Sequence, residues 1–178
     1  MTELVVLASA AGEPIGTAPK AEVHTTDTPL HFAFSAWLTC SGKVLVTRRA
    51  LGKLTWPGVW TNAFCGHPAP GEETGDAVLR RATFELGIAP GDLSTPQLIL
   101  PDFSYRAVDS SGTVENEICP VYTVDLSADA AWEPNPDEVD SYQWVEPAQL
   151  FAAADAMPGV FSPWMIDELA DDKLRAAL

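Results

Sequence analysis

Short apolar runs alternate with turn-forming residues along this chain, and their spacing predicts a mixture of strands and helices. Leu4–Leu7 reads as a strand, ended by the turn chemistry of Gly12-Glu13-Pro14. His31–Leu38 and Lys43–Arg49 read as two strands joined through Ser41-Gly42. Leu51–Pro70 carries no such pattern and is rich in Trp, Pro and Gly, and a loop of that length in a compact domain usually serves function. A helix is predicted from about Glu73 to Leu86, where Leu79, Ala82 and Leu86 recur on one helical face and Gly87 supplies a stop. Leu98–Phe103, Tyr105–Asp109 and Val114–Val124 follow as strands, with Ser110-Ser111-Gly112 as a turn. Val139–Val145 is a last strand, and helices near Pro147–Ala154 and Pro163–Ala177 close the chain. No repeat or low-complexity linker divides the 178 residues. The expected class is therefore α+β, a mixed β-sheet flanked by helices in one compact domain spanning 1–178.

Composition narrows the classes of function. Hydrophobic residues at 47% and six tryptophans support a folded core. No apolar run approaches the roughly 18 residues of a membrane helix. The N-terminus lacks the basic start of a secretory signal, and three widely spaced cysteines build no disulfide framework, so a reducing cytoplasm is expected. The net charge of −15 disfavours nucleic acid and anionic membranes as partners. That charge is uneven: residues 1–60 hold four acids and five bases, whereas 121–178 hold twelve acids and two bases. Partners for an anionic ligand are therefore sought in the first third and at Arg80-Arg81.

The candidate chemistry is concentrated in few residues. The chain has three histidines, His24, His31 and His67. Glu115 and Glu117 are two apart in a predicted strand and so share a face, an arrangement that suits a bridging cation or proton, or else a solvated surface. Together these five residues have the donor types of a mixed N/O metal site for Mn, Zn, Fe or Mg, although spacing alone does not bring them together. Cys65 lies between a strand and a loop, either as an inert thiol or as one tuned by a nearby cation. Arg81 and Glu85 are four apart on one helical face, as a surface ion pair or as a phosphate partner and a metal ligand. Lys20, Arg49 and Lys53 fall in the non-acidic third, and Trp164 offers a π face to a cation.

Thr61–Gly87 orders this chemistry. Gly66-x5-Glu72-x7-Arg80-x4-Glu85-x-Gly87 has the frame of a Nudix box, with Arg81 and Phe84 at two positions where that box carries acids. The motifs HTTDTPLH, VTRRALGKLTWPGVWTNAFCGHP, FELG, Tyr105-Arg106, VENEICP and FSPWM, in that order from Lys20 to Trp164, resemble the type I isopentenyl-diphosphate delta-isomerases, non-hydrolytic members of the Nudix superfamily. The resemblance implies a Nudix core over about 30–165 and interconversion of isopentenyl and dimethylallyl diphosphate by proton addition and removal. It implies a metal site of His24, His31, His67, Glu115 and Glu117 holding Mn2+ or Mg2+, with Zn2+ as an alternative. Cys65 and Glu117 would be the acid/base pair, oriented by Tyr105, with Trp164 over the hydrocarbon. Glu85 would hold a separate Mg2+ against the diphosphate, contacted by Lys20, Arg49, Lys53 and Arg81. Leu54 departs from relatives that carry a second lysine there. The implied partner is a small isoprenyl diphosphate, with neither nucleic acid nor membrane, acting on a monomer or alternatively a homodimer. A Nudix hydrolase would want the acids that Arg81 and Phe84 replace, and a non-catalytic metal-binding domain would not need Cys65 with Glu117.

Overall fold

The computed structural model describes residues 3–178. Two of the predicted strands are each broken in the middle, and those breaks organise the fold. His31–Leu38 divides at Ala33 into β3 (His31–Phe32) and β4 (Phe34–Cys40); Val114–Val124 divides at Cys119-Pro120 into β10 (Val114–Ile118) and β11 (Val121–Asp125). Proline donates no hydrogen bond to a ladder, so Pro120 is a natural place for a strand to change sheets. The halves pair in parallel, β3 with β10 (His31 opposite Glu117) and β4 with β11 (Ser35 opposite Val121). The two chains thus pass side by side from one sheet into the other. The expected single sheet is therefore two, within the same α+β class.

The smaller sheet runs β2-β1-β3-β10-β9, with β1 at Leu4–Ala8, β2 at Pro14–Pro19 and β9 at Ser104–Val108. The larger runs β12-β5-β4-β11-β8, with β5 at Lys43–Arg49, β8 at Gln97–Leu100 and β12 at Val139–Val145. Two short strands lie inside the segment expected as one long loop, β6 (Trp60–Thr61) on β5 and β7 (Phe64–Gly66) on β4. β2 and the one-turn helix α1 (Lys20–Val23) have no apolar periodicity and were not expected. Helix α2 spans Thr74–Leu86 and α3 Pro147–Ala156; the expected last helix is two, α4 (Pro163–Leu169) and α5 (Asp172–Ala177). Its break falls at Asp171, whose carboxylate accepts from the Lys173 amide at 2.8 Å and starts α5.

Alternating side chains of β4 and β5 feed two cores. Phe34, Leu38 and Leu45 pack with Val78, Ala82 and Leu86 of α2. Trp37, Val44 and Val46 face Leu150 of α3, Trp164, Met165 and Leu169 of α4, and Leu174 of α5. Each such buried side chain contributes about 1.5–3 kcal/mol relative to exposure. The central sheet is thereby fixed between α2 and the closing helices, and His31 and Glu117 lie just before the points where their strands pass from one sheet to the other.

α2 stops where predicted. Gly87 has φ 67° and donates its amide to the Thr83 carbonyl. A Cβ there would meet the Glu133 carbonyl oxygen at 2.5 Å. Gly87→Ala is expected to lower stability by at least about 1–2 kcal/mol, the cost of a left-handed non-glycine residue before the clash is counted. Denaturant unfolding measures this as a lower midpoint at constant slope, and an unchanged midpoint refutes it.

Candidate active site

The β3/β10 register places His31 opposite Glu117, and His24 and His67 reach the same carboxylate from the loop after α1 and the loop after β7. Glu117 Oε1 lies 3.2 Å from His67 Nε2, 3.3 Å from His31 Nε2 and 3.8 Å from His24 Nε2. His31 and His67 are themselves only 3.3 Å apart at Nε2. Four ligand atoms, one each from His24, His31, His67 and Glu117, all fall within 4.8 Å of one another. His24 Nε2 is buried without a hydrogen-bond partner, and His31 turns its other nitrogen, Nδ1, to the Pro29 carbonyl at 2.9 Å. Three imidazoles and a carboxylate with converging lone pairs fit a divalent metal ion, and the Pro29 contact sets the His31 tautomer. Burial holds the His67 imidazole down at about 4, so it is neutral, as a ligand must be. Burial alone would raise Glu117, but the three imidazoles crowded around it outweigh that and keep this carboxylate well below the usual range.

Glu115 stands beside this group rather than in it. Its Oε1 accepts from Thr55 at 2.6 Å and its Oε2 contacts the Tyr105 hydroxyl at 2.7 Å. The same hydroxyl is 2.9 Å from Glu117 Oε2. A phenol has one hydrogen, so two short carboxyl contacts place a second proton among the three groups. Burial and then the Glu117 charge raise Glu115 above the usual carboxylate range. Thr55 in turn accepts from Arg49 Nη2 at 2.9 Å, linking the basic side of the site to its carboxylates.

One cavity of about 530 Å3 joins these groups, a volume suited to a small ligand. Cys65, His67, Tyr105, Glu117 and Trp164 line its inner part. Trp164 is 1% exposed, with its ring 5.6 Å from that of Tyr105 and 5.5 Å from the Arg49 guanidinium carbon. Its indole donates to Asn62 Oδ1 at 3.0 Å, and Asn62 Nδ2 lies 3.5 Å from Cys65 Sγ. Asn62 thus ties the aromatic wall to the thiol. Burial, then the charge of Glu168, push the Cys65 thiol far above its ordinary range, so the free site holds it protonated. Gly66 lies where α2 approaches β4: a Cβ would meet Arg81 Cγ at 2.8 Å and Phe34 Cζ at 2.9 Å. No larger residue fits between Cys65 and His67 without moving them.

Lys20, Arg49, Lys53 and Arg81 line the same cavity. Lys20 is lowered by burial and then by the charge of Arg81, the mark of crowded cations awaiting an anion. Without one, carboxylates partner them: Glu3 takes Lys20 at 2.9 Å, while Glu138 takes Lys53 and reaches Arg81 at 3.5 Å. Glu85 accepts from Arg81 Nε at 3.0 Å and Nη2 at 2.5 Å. That pair is buried, at 4% and 7% exposure, so the reading of a plain surface ion pair does not hold. Glu85 and His31 do not line the main cavity; His31 stands behind Glu117 at 0% exposure. Glu72 accepts two bonds from Arg80 at 2.7 Å, and Arg80 donates to the His67 carbonyl at 3.1 Å. The first acid of the box therefore fixes the loop that presents His67.

Residue types, motifs and the family resemblance drew attention to every metal, acid/base and cation candidate, but not to Thr55, Asn62, Ser35, Glu138 or Glu168. Asn62 could have been suspected from its place three residues before Cys65. The others act from elements whose packing the sequence does not announce.

The comparisons agree with this geometry. A NUDIX domain matches residues 29–165. Among solved structures, the fold is similar to DR0079 from Deinococcus radiodurans (TM-score 0.63, 21% identity, 86% of this chain and 90% of that one). It is also similar to the MutT protein from Methanosarcina mazei (TM-score 0.62, 19% identity, 84% and 96%). At such identities the likeness concerns the fold alone, and it makes the chain a Nudix-fold protein. The isopentenyl-diphosphate delta-isomerase of Corynebacterium efficiens is 59% identical over 99% of this chain and 93% of its own length. That of Clavibacter michiganensis is 57% identical over 94% and 84%. The chain belongs to the Nudix superfamily and, within it, to the type I isopentenyl-diphosphate delta-isomerase family.

Proposed function

We propose that the chain interconverts isopentenyl and dimethylallyl diphosphate, with Cys65 and Glu117 as the acid/base pair on either side of the bound alkene. The observation that carries the reading is the single cavity lined by a thiol, a carboxylate, an indole face and a group of basic side chains. Moving the double bond adds a proton at C4 and removes one from C2, through a tertiary carbocation. One group donates and the other accepts, so each turnover leaves the donor a proton short and the acceptor a proton over; return of that proton between them, through solvent, regenerates the enzyme without a redox change. A positioned acid or base contributes on the order of 100- to 10,000-fold.

Tyr105 bonds to Glu115 and Glu117 and holds the second of these in place. The Trp164 face stabilises the carbocation, by about 2 kcal/mol when desolvated. Its near-complete burial supports exclusion of the water that would capture the cation as an alcohol. Lys20, Arg49, Lys53 and Arg81 bind the diphosphate, exchanging their present carboxylate partners for phosphate oxygens. His24, His31, His67 and Glu117, with Glu115 beside them, would hold Mn2+ or Mg2+, or Zn2+ in their stead, a fixed positive charge that keeps Glu117 in place and polarised. Glu85 would hold the Mg2+ that accompanies the diphosphate, released from Arg81 as that side chain turns to the phosphates. We infer a monomer, or alternatively a homodimer, acting on a small diphosphate as one domain. Among the described residues no helix is long and apolar enough to cross a membrane; the cytoplasm is the compartment we assign.

Incubating the protein with isopentenyl diphosphate and Mg2+ in heavy water tests this. Dimethylallyl diphosphate carrying solvent deuterium in a methyl group is expected. Release of inorganic phosphate without isomer would overturn the reading.

A further inference from the structure

Glu168 takes no part in the chemistry above, yet its side chain is 0% exposed on α4, one turn beyond Trp164 and on the same face. Its Oε2 accepts from the Trp37 indole at 2.6 Å, and its Oε1 is buried without a hydrogen-bond partner. The titratable groups whose charges couple to it are Asp167 on its own helix, Glu117 on β10, Cys65 on β7 and Cys119 just after β10. Burying a carboxylate beside acids and thiols is costly.

The Ser35 hydroxyl lies beside the Glu168 carboxyl. Ser35 is also the register partner of Cys65, whose thiol donates to Ser35 Oγ at 3.7 Å in this structure. Ser35 Oγ already accepts from Asn62 Nδ2 at 2.9 Å. It has one hydrogen to give and two neighbours able to take it, the sulfur and the carboxyl. Which one receives it depends on whether Glu168 carries a proton.

We propose that Glu168 is a positioning residue for the isomerisation, acting through the Ser35 hydroxyl to aim its one hydrogen at Cys65 Sγ. As a carboxylic acid, Glu168 donates from Oε1 to Ser35 Oγ, which satisfies the unpartnered oxygen and leaves the serine hydrogen for sulfur. As a carboxylate it takes that hydrogen, and Cys65 loses a donor from the side away from the substrate. Burial pushes the Glu168 carboxyl up to about 8, so the acid form prevails at neutral pH and gives way as the pH rises through that value. This inference rests on the assignment of Cys65 as an acid/base group.

The test compares wild type, Glu168→Ala and Glu168→Gln by kcat, KM and pH profile. Glu168→Ala is expected to lose about tenfold in kcat, the worth of one hydrogen bond, with KM within about twofold. Glu168→Gln should restore most of that loss, since its amide oxygen accepts from Trp37 and its NH2 donates to Ser35. The wild-type kcat should fall as pH rises through about 8, and the glutamine variant, unable to ionise, should lack that limb. A glutamine variant as slow as the alanine variant, or one that keeps the wild-type alkaline limb, overturns the proposal. If Glu168→Ala fails to fold, the pH comparison of wild type with Glu168→Gln decides alone. Cys65→Ala separates the two readings: if that variant stays active the acid/base assignment fails, whereas an inactive Cys65→Ala with an unchanged Glu168→Gln profile sinks only the role of Glu168.

Discussion

Cys65→Ala is expected to lower kcat by about 100- to 10,000-fold, the contribution of one positioned acid or base, while KM changes little. KM should hold because the side chains proposed to grip the diphosphate, Lys20, Arg49, Lys53 and Arg81, make no bond to the thiol. The fold should also survive. Cys65 is only partly buried, and its contacts to Ser35 and Asn62 are long, 3.5–3.7 Å. Both partners keep other bonds, between Asn62 Nδ2 and Ser35 Oγ and from Asn62 Nδ2 to the Ala36 and Phe64 carbonyls. The measurement is steady-state isomer formation, with thermal unfolding as the control. A folded variant within tenfold of wild type would remove Cys65 from the reaction.

How much of this was legible beforehand varies with the kind of contact. α2 could be read because its apolar stripe and Gly87 are both local signals, and it begins and ends within a residue of the expected limits. β3 and β10 were legible only as halves of longer apolar runs. Periodicity says that a stretch is extended but not that it changes sheets at Ala33 or Pro120, and that change sets His31 against Glu117. The three histidines that converge on Glu117 stood out because the chain has just three. Glu168 was invisible for the opposite reason. Twelve acids crowd residues 121–178, and nothing in their spacing marks the one that is completely buried. Glu115 shows a further limit: two residues of strand spacing put it on the face of Glu117, but side-chain rotamers and Thr55 turned it toward Arg49 rather than into the histidine group.

The departures from a hydrolytic box have a physical consequence. A water-activating Nudix helix needs several carboxylates free to gather cations. Here Glu72 is bound by Arg80, Arg81 and Phe84 stand where two acids would, and Phe84 projects outward at 53% exposure beneath the Arg81 guanidinium, which leaves Glu85 as the one acid of the box proposed to hold a cation. The helix that would assemble a hydrolytic centre instead braces the His67 loop and supplies a cation to the cavity. The site gains an anion-binding wall and loses the means to activate water against the same diphosphate.

Glu117→Gln should be the most damaging single change, reducing turnover at least about 10,000-fold, because one substitution removes both an acid/base group and the only carboxylate among the converging ligands. The amide keeps the shape of the side chain, and the strand pairing of β10 with β3 and β9 does not involve it. What changes is charge. Three imidazole nitrogens now crowd a carboxylate oxygen at 3.2–3.8 Å; around an amide they would face either a weaker acceptor or a donor. Divalent metal bound to such a neutral set is held much less tightly, since mutation even of a group that only supports a ligand costs about 10–100-fold in affinity. Metal analysis of the purified variant should therefore find the site largely depleted relative to wild type, with circular dichroism unchanged. Chelation of the wild-type protein should mimic the kinetic loss, and added Mn2+ or Mg2+ should reverse it there but not in the variant. A Glu117→Gln protein with a full complement of metal and wild-type turnover would show that Glu117 neither holds the ion nor moves a proton, and the assignment of this cavity would fall with it.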